Sequence, residues 1–367
     1  MKKIILLLSV IGTFSFATAQ RATNKKTSQR LFDEGKQMFY EKNYTGANNL
    51  LTEYKTQSTD ATYIEEADYL MAAAAFYQNT PNSGEILKEF LDNYPETIHH
   101  NKVKFLIGSY HFDEEEWDKA KFWFNQSNLD YLSLEEQEDY SFRLAYADLQ
   151  SGNKNEAARL FGLLSDNSVK YQDAGNFYYG YIEYSNGNYN NALNRFNRVA
   201  NNPEYAQEVA FYTAQSTFLK GELDGAIRLA DAFVNRYPAS KHTAEMYRIL
   251  GNSNYRLGRI SNAIPYYERY QQRVTEPLRG DAYFLGLSYL EANNLSEAVK
   301  MFQHATGEND ALAQNAHLYL GQTYLKMNDK AKAQMSFATA SRSNFDAKAR
   351  ETAMFNYALL AHETNFS

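Results

Sequence analysis

The sequence predicts an all-α solenoid built from helix-turn-helix hairpins, and columns of residues at fixed spacings predict it. The first column is a small residue inside an apolar helical pattern: Gly35, Gly108, Ala145, Gly180, Ala214, Gly251, Gly286 and Gly321. Twelve residues after each stands an alanine: Ala47, Ala120, Ala157, Ala192, Ala226, Ala263, Ala298 and Ala333. Four further on comes Leu51, Phe124, Phe161, Phe196, Ala230, Tyr267, Phe302 or Phe337. The third column, seven residues after the first, is Gly152, Gly187, Gly221, Gly258, Asn293 and Asn328. Glycine and asparagine accept the left-handed backbone that ends a helix, so each marks a tight turn between two antiparallel helices. From Gly108 on, the first column advances by 37, 35, 34, 37, 35 and 35 residues. One such hairpin cannot bury its apolar face alone; stacking on its neighbours supplies the core.

The chain has 367 residues and opens with Met1-Lys2-Lys3, an apolar run from Ile4 to Phe16, and Ala17-Thr18-Ala19. A basic start, a short apolar stretch and a small-x-small site predict a secretory signal peptide over residues 1–19, and hence a periplasmic protein. Cysteine is absent. That fits a bacterial periplasm better than a disulfide-stapled secreted domain, and it excludes thiolate metal sites, cysteine nucleophiles and a lipid-modified cysteine. Residues 20–27 read as a polar leader. Residues 28–367 read as the solenoid, about nine repeats and the first helix of a tenth. No later stretch offers about 18 consecutive apolar residues, so no membrane span is expected.

Within a repeat, the alanine and the residue four after it share one face of the second helix. The small residue of the first helix is read as facing that alanine, with the aromatic filling the space toward the next repeat. The 73 residues between Gly35 and Gly108 leave room for one degenerate repeat, with helices around Ala72–Phe76 and Ile86–Phe90. Twice a second helix closes on the same phrase, Phe90-Leu-Asp-Asn-Tyr94-Pro95-Glu-Thr97 and Phe233-Val-Asn-Arg-Tyr237-Pro238-Ala-Ser240. Proline disfavours helix in the residue before it, and Thr97 and Ser240 are read as caps of the helix that follows. Residues 349–362 form the first helix of the tenth repeat, with apolar Met354, Phe355, Tyr357, Leu359 and Leu360. Its uncovered face predicts that the array is a piece of a longer one or that this end docks on something.

These columns resemble the tetratricopeptide repeat, whose pattern runs W-x₂-L-G-x₂-Y, then A-x₃-F. Ile107-Gly108, Leu250-Gly251, Leu285-Gly286 and Leu320-Gly321 match its central pair, and Tyr289 and Tyr324 its tyrosine. Ala120/Phe124, Ala157/Phe161, Ala192/Phe196, Ala298/Phe302 and Ala333/Phe337 match its alanine–aromatic pair, while Lys104, Asn176, Tyr247 and His317 stand where the family has tryptophan. The resemblance covers roughly residues 28–362 and implies a right-handed superhelix. The two Tyr-Pro phrases are similar to repeats of periplasmic envelope proteins, the Tol-Pal-associated cell-division coordinator and the lipoprotein subunit of the outer-membrane assembly machine. The latter carries a lipidated cysteine that this chain lacks.

No catalytic motif is present: no G-x-S-x-G, no P-loop, no dinucleotide-binding G-x-G-x-x-G after a strand and no H-E-x-x-H. A formal charge of −7 argues against a general nucleic-acid binder. His99 and His100 are adjacent and diverge on a helix, so they are not read as a metal pair, and Asp113–Glu116 are read as a solvated turn. No enzyme activity, cofactor or metal is expected.

An aromatic stripe remains. Three before and four after each small residue stand Phe32/Phe39, Phe105/Phe112, Phe142/Leu149, Phe177/Tyr184, Phe211/Phe218, Arg248/Tyr255, Tyr283/Leu290 and Leu318/Leu325, each pair seven apart on one face of the first helix. Polar Ser109, Tyr146, Tyr181, Gln215, Asn252 and Gln322 follow the small residue directly. In the resembled family the first helices line the concave surface. The expected partner site is therefore a groove at Phe105, Phe112, Phe142, Tyr146, Phe177, Tyr181, Tyr184, Phe211, Gln215, Arg248, Asn252, Tyr255 and Tyr283, taking an extended or helical protein segment. The plainer role for any one of these rings is packing between neighbouring first helices. A family subtype grips a C-terminal carboxylate with Lys and Asn on the first helices; here only Arg248 with Asn252 resembles that arrangement. The expected function is a non-catalytic scaffold, with a glycan-binding module or the repeat part of a longer protein as the alternatives.

Overall fold

The turn column sets the hairpins. In the computed structural model, Gly152, Gly187, Gly221 and Gly258 have φ of +72° to +84°, and Asn293 and Asn328 have +60° and +59°. Lys42, Asn79 and Glu115 occupy the same position in three earlier hairpins, at +63°, +51° and +58°. The left-handed turn is thus kept where the sequence no longer advertises it with Gly or Asn.

The structure describes residues 27–58 and 60–365. The expected signal peptide at 1–19 and leader residues 20–26 lie outside the described residues; Thr27 opens α1. Nine hairpins follow among the described residues. They are α1 (27–40) with α2 (Tyr44–Gln57), α3 (Ala61–Tyr77) with α4 (Ser83–Asn93), and α5 (His100–Asp113) with α6 (Trp117–Phe124). Next come α7 (Leu134–Gln150) with α8 (Lys154–Asn167), α9 (Gln172–Ser185) with α10 (Tyr189–Val199), and α11 (Ala206–Leu219) with α12 (Leu223–Arg236). Then α13 (Thr243–Arg256) pairs with α14 (Ile260–Gln271), α15 (Arg279–Glu291) with α16 (Leu295–Ala305), and α17 (Ala311–Lys326) with α18 (Lys330–Arg342), before α19 (Ala347–Asn365). The chain falls into two compact units, one up to Tyr178 and one from Tyr179. In each, hairpin packs on hairpin, and first helices touch first helices of the next hairpin. Among the described residues no helix is long and apolar enough to cross a membrane.

The eight alanines of the second column are all fully buried, as are Phe124, Phe161, Phe196, Tyr267, Phe302 and Phe337. The packing inside a hairpin corrects the expected small-on-small contact. A Cβ on Gly108 would meet Phe124 at 2.6 Å; the same contact is 2.8 Å from Gly180 to Phe196 and 2.5 Å from Gly321 to Phe337. The small residue makes room for the aromatic ring of its own hairpin, sixteen residues on. Where Ala214 stands in the first column, the ring is replaced by Ala230, and both are buried.

Polar grips fasten each hairpin to the next. Gln314 is buried on α17. Its amide donates to the carbonyls of Ala340, Ser343 and Asp346, and its oxygen accepts from the N–H groups of Phe345 and Asp346. At the corresponding position of other first helices, Asn101 accepts from Asn128 N–H, Glu138 from Val169 and Lys170 N–H, and Arg279 donates to Ala305 O and Asp310. After the two Tyr-Pro phrases the grip is a histidine. His99 meets Glu66 at 2.6 Å and stacks on Tyr69; His242 meets Glu208 at 2.9 Å and stacks on Phe211. Thr97 and Ser240 do not cap α5 and α13 as expected. Their hydroxyls accept from His99 and His242 N–H, one turn earlier, and so set those histidines in place.

Candidate functional site

The predicted groove residues lie in the layer of first helices, and all thirteen are buried or half-buried. In the first unit they pack on aromatic neighbours: Phe112 on Tyr146 edge-on at 5.7 Å, and Phe142 stacked on Tyr171 at 4.4 Å. Phe105 is 5% exposed at the floor of a cleft of about 610 Å³ that Lys102, Arg143 and Asp139 also line. Two cations of that cleft are paired, Lys102 with Glu136 and Arg143 with Asp113 at 2.6 Å. Phe177 and Phe211 are 8% and 7% exposed and belong to the packing rather than to a surface. Phe211 sits against Phe233 of its own hairpin and His242 of the next.

In the second unit a polar ladder runs across successive first helices. The Tyr184 hydroxyl donates to Gln215, 2.5 Å, and Gln215 donates to Glu245, 3.2 Å. Glu245 accepts two hydrogen bonds from Arg248, at 2.8 and 2.6 Å. Arg248 also stands 3.7 Å from Asp281. Its guanidinium is therefore committed to two acids, and Glu245 raises its pKa further. That commitment removes the cation a carboxylate clamp would need. Asn252 is engaged as well, accepting from the Tyr267 hydroxyl at 2.8 Å. Tyr181 packs edge-on against Tyr212, and Tyr283 against Tyr319.

Three predicted residues, Arg248, Asn252 and Tyr255, meet at a cleft of about 400 Å³. Helix α11 supplies Phe218, α13 adds Arg256, and the start of α15 adds Leu278, Gly280, Asp281 and Phe284. Leu278 and Phe284 are exposed at its rim, and Tyr255 packs on Phe284 at 5.3 Å. Arg256 lies over the Phe218 ring at 5.7 Å. Asp281 is 6% exposed, and its Oδ2 has no hydrogen-bond partner. Burial raises its pKa, and Arg248, Asn252 and Tyr270 offset that only in part.

Sequence reasoning passed over Asp281, although a signal was present. It stands five before Gly286. From Gly108 on, the same position elsewhere holds Val103, Tyr140, Gly175, Val209, Met246 and Ala316, all buried. A carboxylate in that core column breaks the pattern. Glu245, which organises Arg248, was likewise missed. Its cue is Arg248 three residues on, in i,i+3 register.

Among the described residues, no group of three or more His, Asp or Glu side chains comes together to hold a metal ion. The cleft joins aromatic walls to an arginine paired with Glu245 and Asp281.

The fold of stacked antiparallel hairpins is that of the tetratricopeptide-repeat solenoids. The tetratricopeptide repeat model matches residues 220–276 and 283–340 of this chain, the part that contains the cleft. Among solved structures, the C-terminal part of a TPR repeat-containing protein from Cytophaga hutchinsonii is similar over 68% of this chain and 98% of its own, at 14% identity and TM-score 0.52. A tetratricopeptide repeat protein from Parabacteroides merdae is similar over 71% of this chain and 98% of its own, at 15% identity and TM-score 0.42. YrrB, described as a TPR protein with an unusual peptide-binding site, is similar over 51% of this chain and 93% of its own, at 17% identity and TM-score 0.44. No curated protein is matched by the chain.

Proposed function

We propose that this protein is a non-catalytic scaffold that works in the periplasm, holding protein partners in cell-envelope assembly or secretion. The observation that carries the binding reading is the open cleft between α11, α13 and α15, rimmed by exposed Leu278 and Phe284. Exposed apolar groups beside unsatisfied polar ones mark interaction sites more often than they serve folding. What supports export is the basic, apolar and small-x-small order of residues 1–19. The envelope role rests on the likeness of the Tyr94-Pro95 and Tyr237-Pro238 phrases to periplasmic envelope repeats.

Site-specific photocross-linking in living cells tests the binding reading. A benzoylphenylalanine at Phe284, on a first helix, is expected to capture a protein. The same group at Met335, exposed on second helix α18, is expected to capture none. Equal capture at both, or capture at Met335 alone, contradicts the reading. Mass analysis of the exported chain is expected to place its N-terminus at Gln20; a chain retaining Met1 in the cytoplasm contradicts the periplasmic assignment.

A further inference from the structure

We propose that the groove between α2 and α4, over α3 in the first unit, is a pocket for one tyrosine side chain of a partner protein. It rests on the scaffold reading for its partner being a protein, and adds a second site with its own chemistry. The groove opens where one column of the repeat is left unfilled. Three residues after the small residue, the hairpins from α5 on hold His111, Asp148, Glu183, Thr217, Asn254, Tyr289 and Tyr324. In the α3 hairpin the left-handed Asn79 sets the register, Ala72 is the small residue, and Ala75 stands in this column. The last two members show what the space can hold. Tyr289 and Tyr324 are 7% and 9% exposed. The Tyr289 hydroxyl donates to Glu268 of α14 at 2.5 Å, and that of Tyr324 accepts from Gln303 of α16 at 3.3 Å. In both, a ring from the first helix is buried with its hydroxyl on the preceding second helix.

With alanine in the column the space stays open. A groove of about 430 Å³ lies at Ala75, walled by Met71 of α3, Ile86 and Phe90 of α4, and Asn48 and Lys55 of α2. A cavity of roughly 150 Å³ already holds a benzene ring, so one phenol fits with its chain at the mouth. The apolar wall is α4 with Met71, and Ile86 is 38% exposed at its rim. The polar wall is α2, the preceding second helix, the side on which Tyr289 and Tyr324 find their hydrogen bonds. Lys55 on that wall is bound to Asp68, and Asp68 also accepts from the Tyr94 hydroxyl at 2.7 Å. That ion pair is closed on itself, so the space suits a neutral group. Tyrosine joins an apolar body to a polar tip, which is the pairing the two walls present. A small residue that leaves a gap forfeits packing energy, and the larger residues of the other hairpins recover it; folding alone does not select Ala75.

The test is NMR of the full chain with labelled methionine and isoleucine methyl groups, titrated with the end-capped peptide Ala-Ala-Tyr-Ala-Ala. The Met71 and Ile86 signals are expected to shift to saturation, and those of Ile260 and Met335 in the second unit to stay in place. Phenylalanine in place of the tyrosine is expected to weaken the peptide about threefold, the loss of one hydrogen bond, and alanine to abolish its effect. Ala75→Tyr supplies the ring that the column carries at Tyr289 and Tyr324; it is expected to leave the peptide without effect on Met71 and Ile86. Ile86→Gln, at an exposed rim position, is the second variant and decides should Ala75→Tyr fail to fold. It is expected to weaken the peptide about fourfold, read at Met71, through lost apolar contact. Equal shifts at the remote methyl groups, or binding that survives in a folded Ala75→Tyr or is unchanged in Ile86→Gln, would overturn the pocket. So would p-cresol that moves both signals while the peptide moves neither, since that pocket would serve a free small phenol. Capture at Phe284 is untouched by any of these results, so the pocket and the scaffold reading fail separately.

Discussion

Glu115 shows what a single residue tolerates in this architecture. Its hairpin needs a left-handed residue between α5 and α6, and glutamate supplies it at φ +58° while exposed. A side chain in that region costs about 1–2 kcal/mol relative to the right-handed one, and glycine escapes that cost. Glu115→Gly is therefore expected to stabilise the protein by about 1 kcal/mol after the extra chain entropy of glycine is counted; a denaturant titration checks it. A loss of stability would mean that the Glu115 side chain contributes a contact the turn depends on. Asp281 is a buried acid 3.7 Å from Arg248, in a column that holds no other acid from Gly108 on. Its legibility was limited for a physical reason. The repeat columns were recognised by small and aromatic residues, which packing enforces in every hairpin. One acid that breaks a column leaves no periodic trace of its own.

At the scale of the element, the hairpins were legible and their fastenings were not. The alanine and ring columns repeat because one ring must fill one gap beside a small residue, and that geometry recurs at Gly108, Gly180 and Gly321. The grips between hairpins use different chemistry each time, an amide at Gln314, a guanidinium at Arg279, an imidazole at His99 and His242. Gln314 and Arg279 stand seven before the small residue and the two histidines nine before it, so neither a recurring residue type nor a single register position marks the grips. The stripe of aromatic residues was only partly placed. Phe177 and Phe211, three before the small residue, turn into the packing, whereas Arg248 at the same position, and Asn252 and Tyr255 after it, border the cleft.

The Glu66 grip carries a pH signature. His99, and then Lys36, hold the Glu66 carboxyl at about 2 against an ordinary 4.5, despite its burial. A depressed folded value adds stability that is fully present above the unfolded value and is lost as pH falls through the folded one. The contribution is therefore expected to be complete at pH 7 and to fade between about pH 4.5 and 2. Glu66→Gln removes it: the variant is expected to be less stable at pH 7, by on the order of 1 kcal/mol for a partly buried pair. It is also expected to lose less than the wild type between pH 5 and 3. Thermal melts at the two pH values check this; parallel losses in both proteins would contradict it.

At the scale of the whole molecule, solenoid stability is close to a sum of repeat and interface terms, so surface chemistry can vary from hairpin to hairpin while the scaffold persists. Both units line a cleft with ion pairs, Lys102 with Glu136 in the first and Arg248 with Glu245 and Asp281 in the second. The terminal helix α19 buries Ala349, Ala353 and Leu360 and exposes Met354, Phe355 and Leu359, an apolar face for which the described residues provide no cover.

Amide hydrogen exchange on the full chain, alone and with the protein captured at Phe284, tests the central claim most directly. The account predicts slowed exchange in 245–256 and 278–286, on the first helices that form the cleft, with 260–271 and 295–305 on the second helices unchanged. Protection confined to the second helices would contradict it.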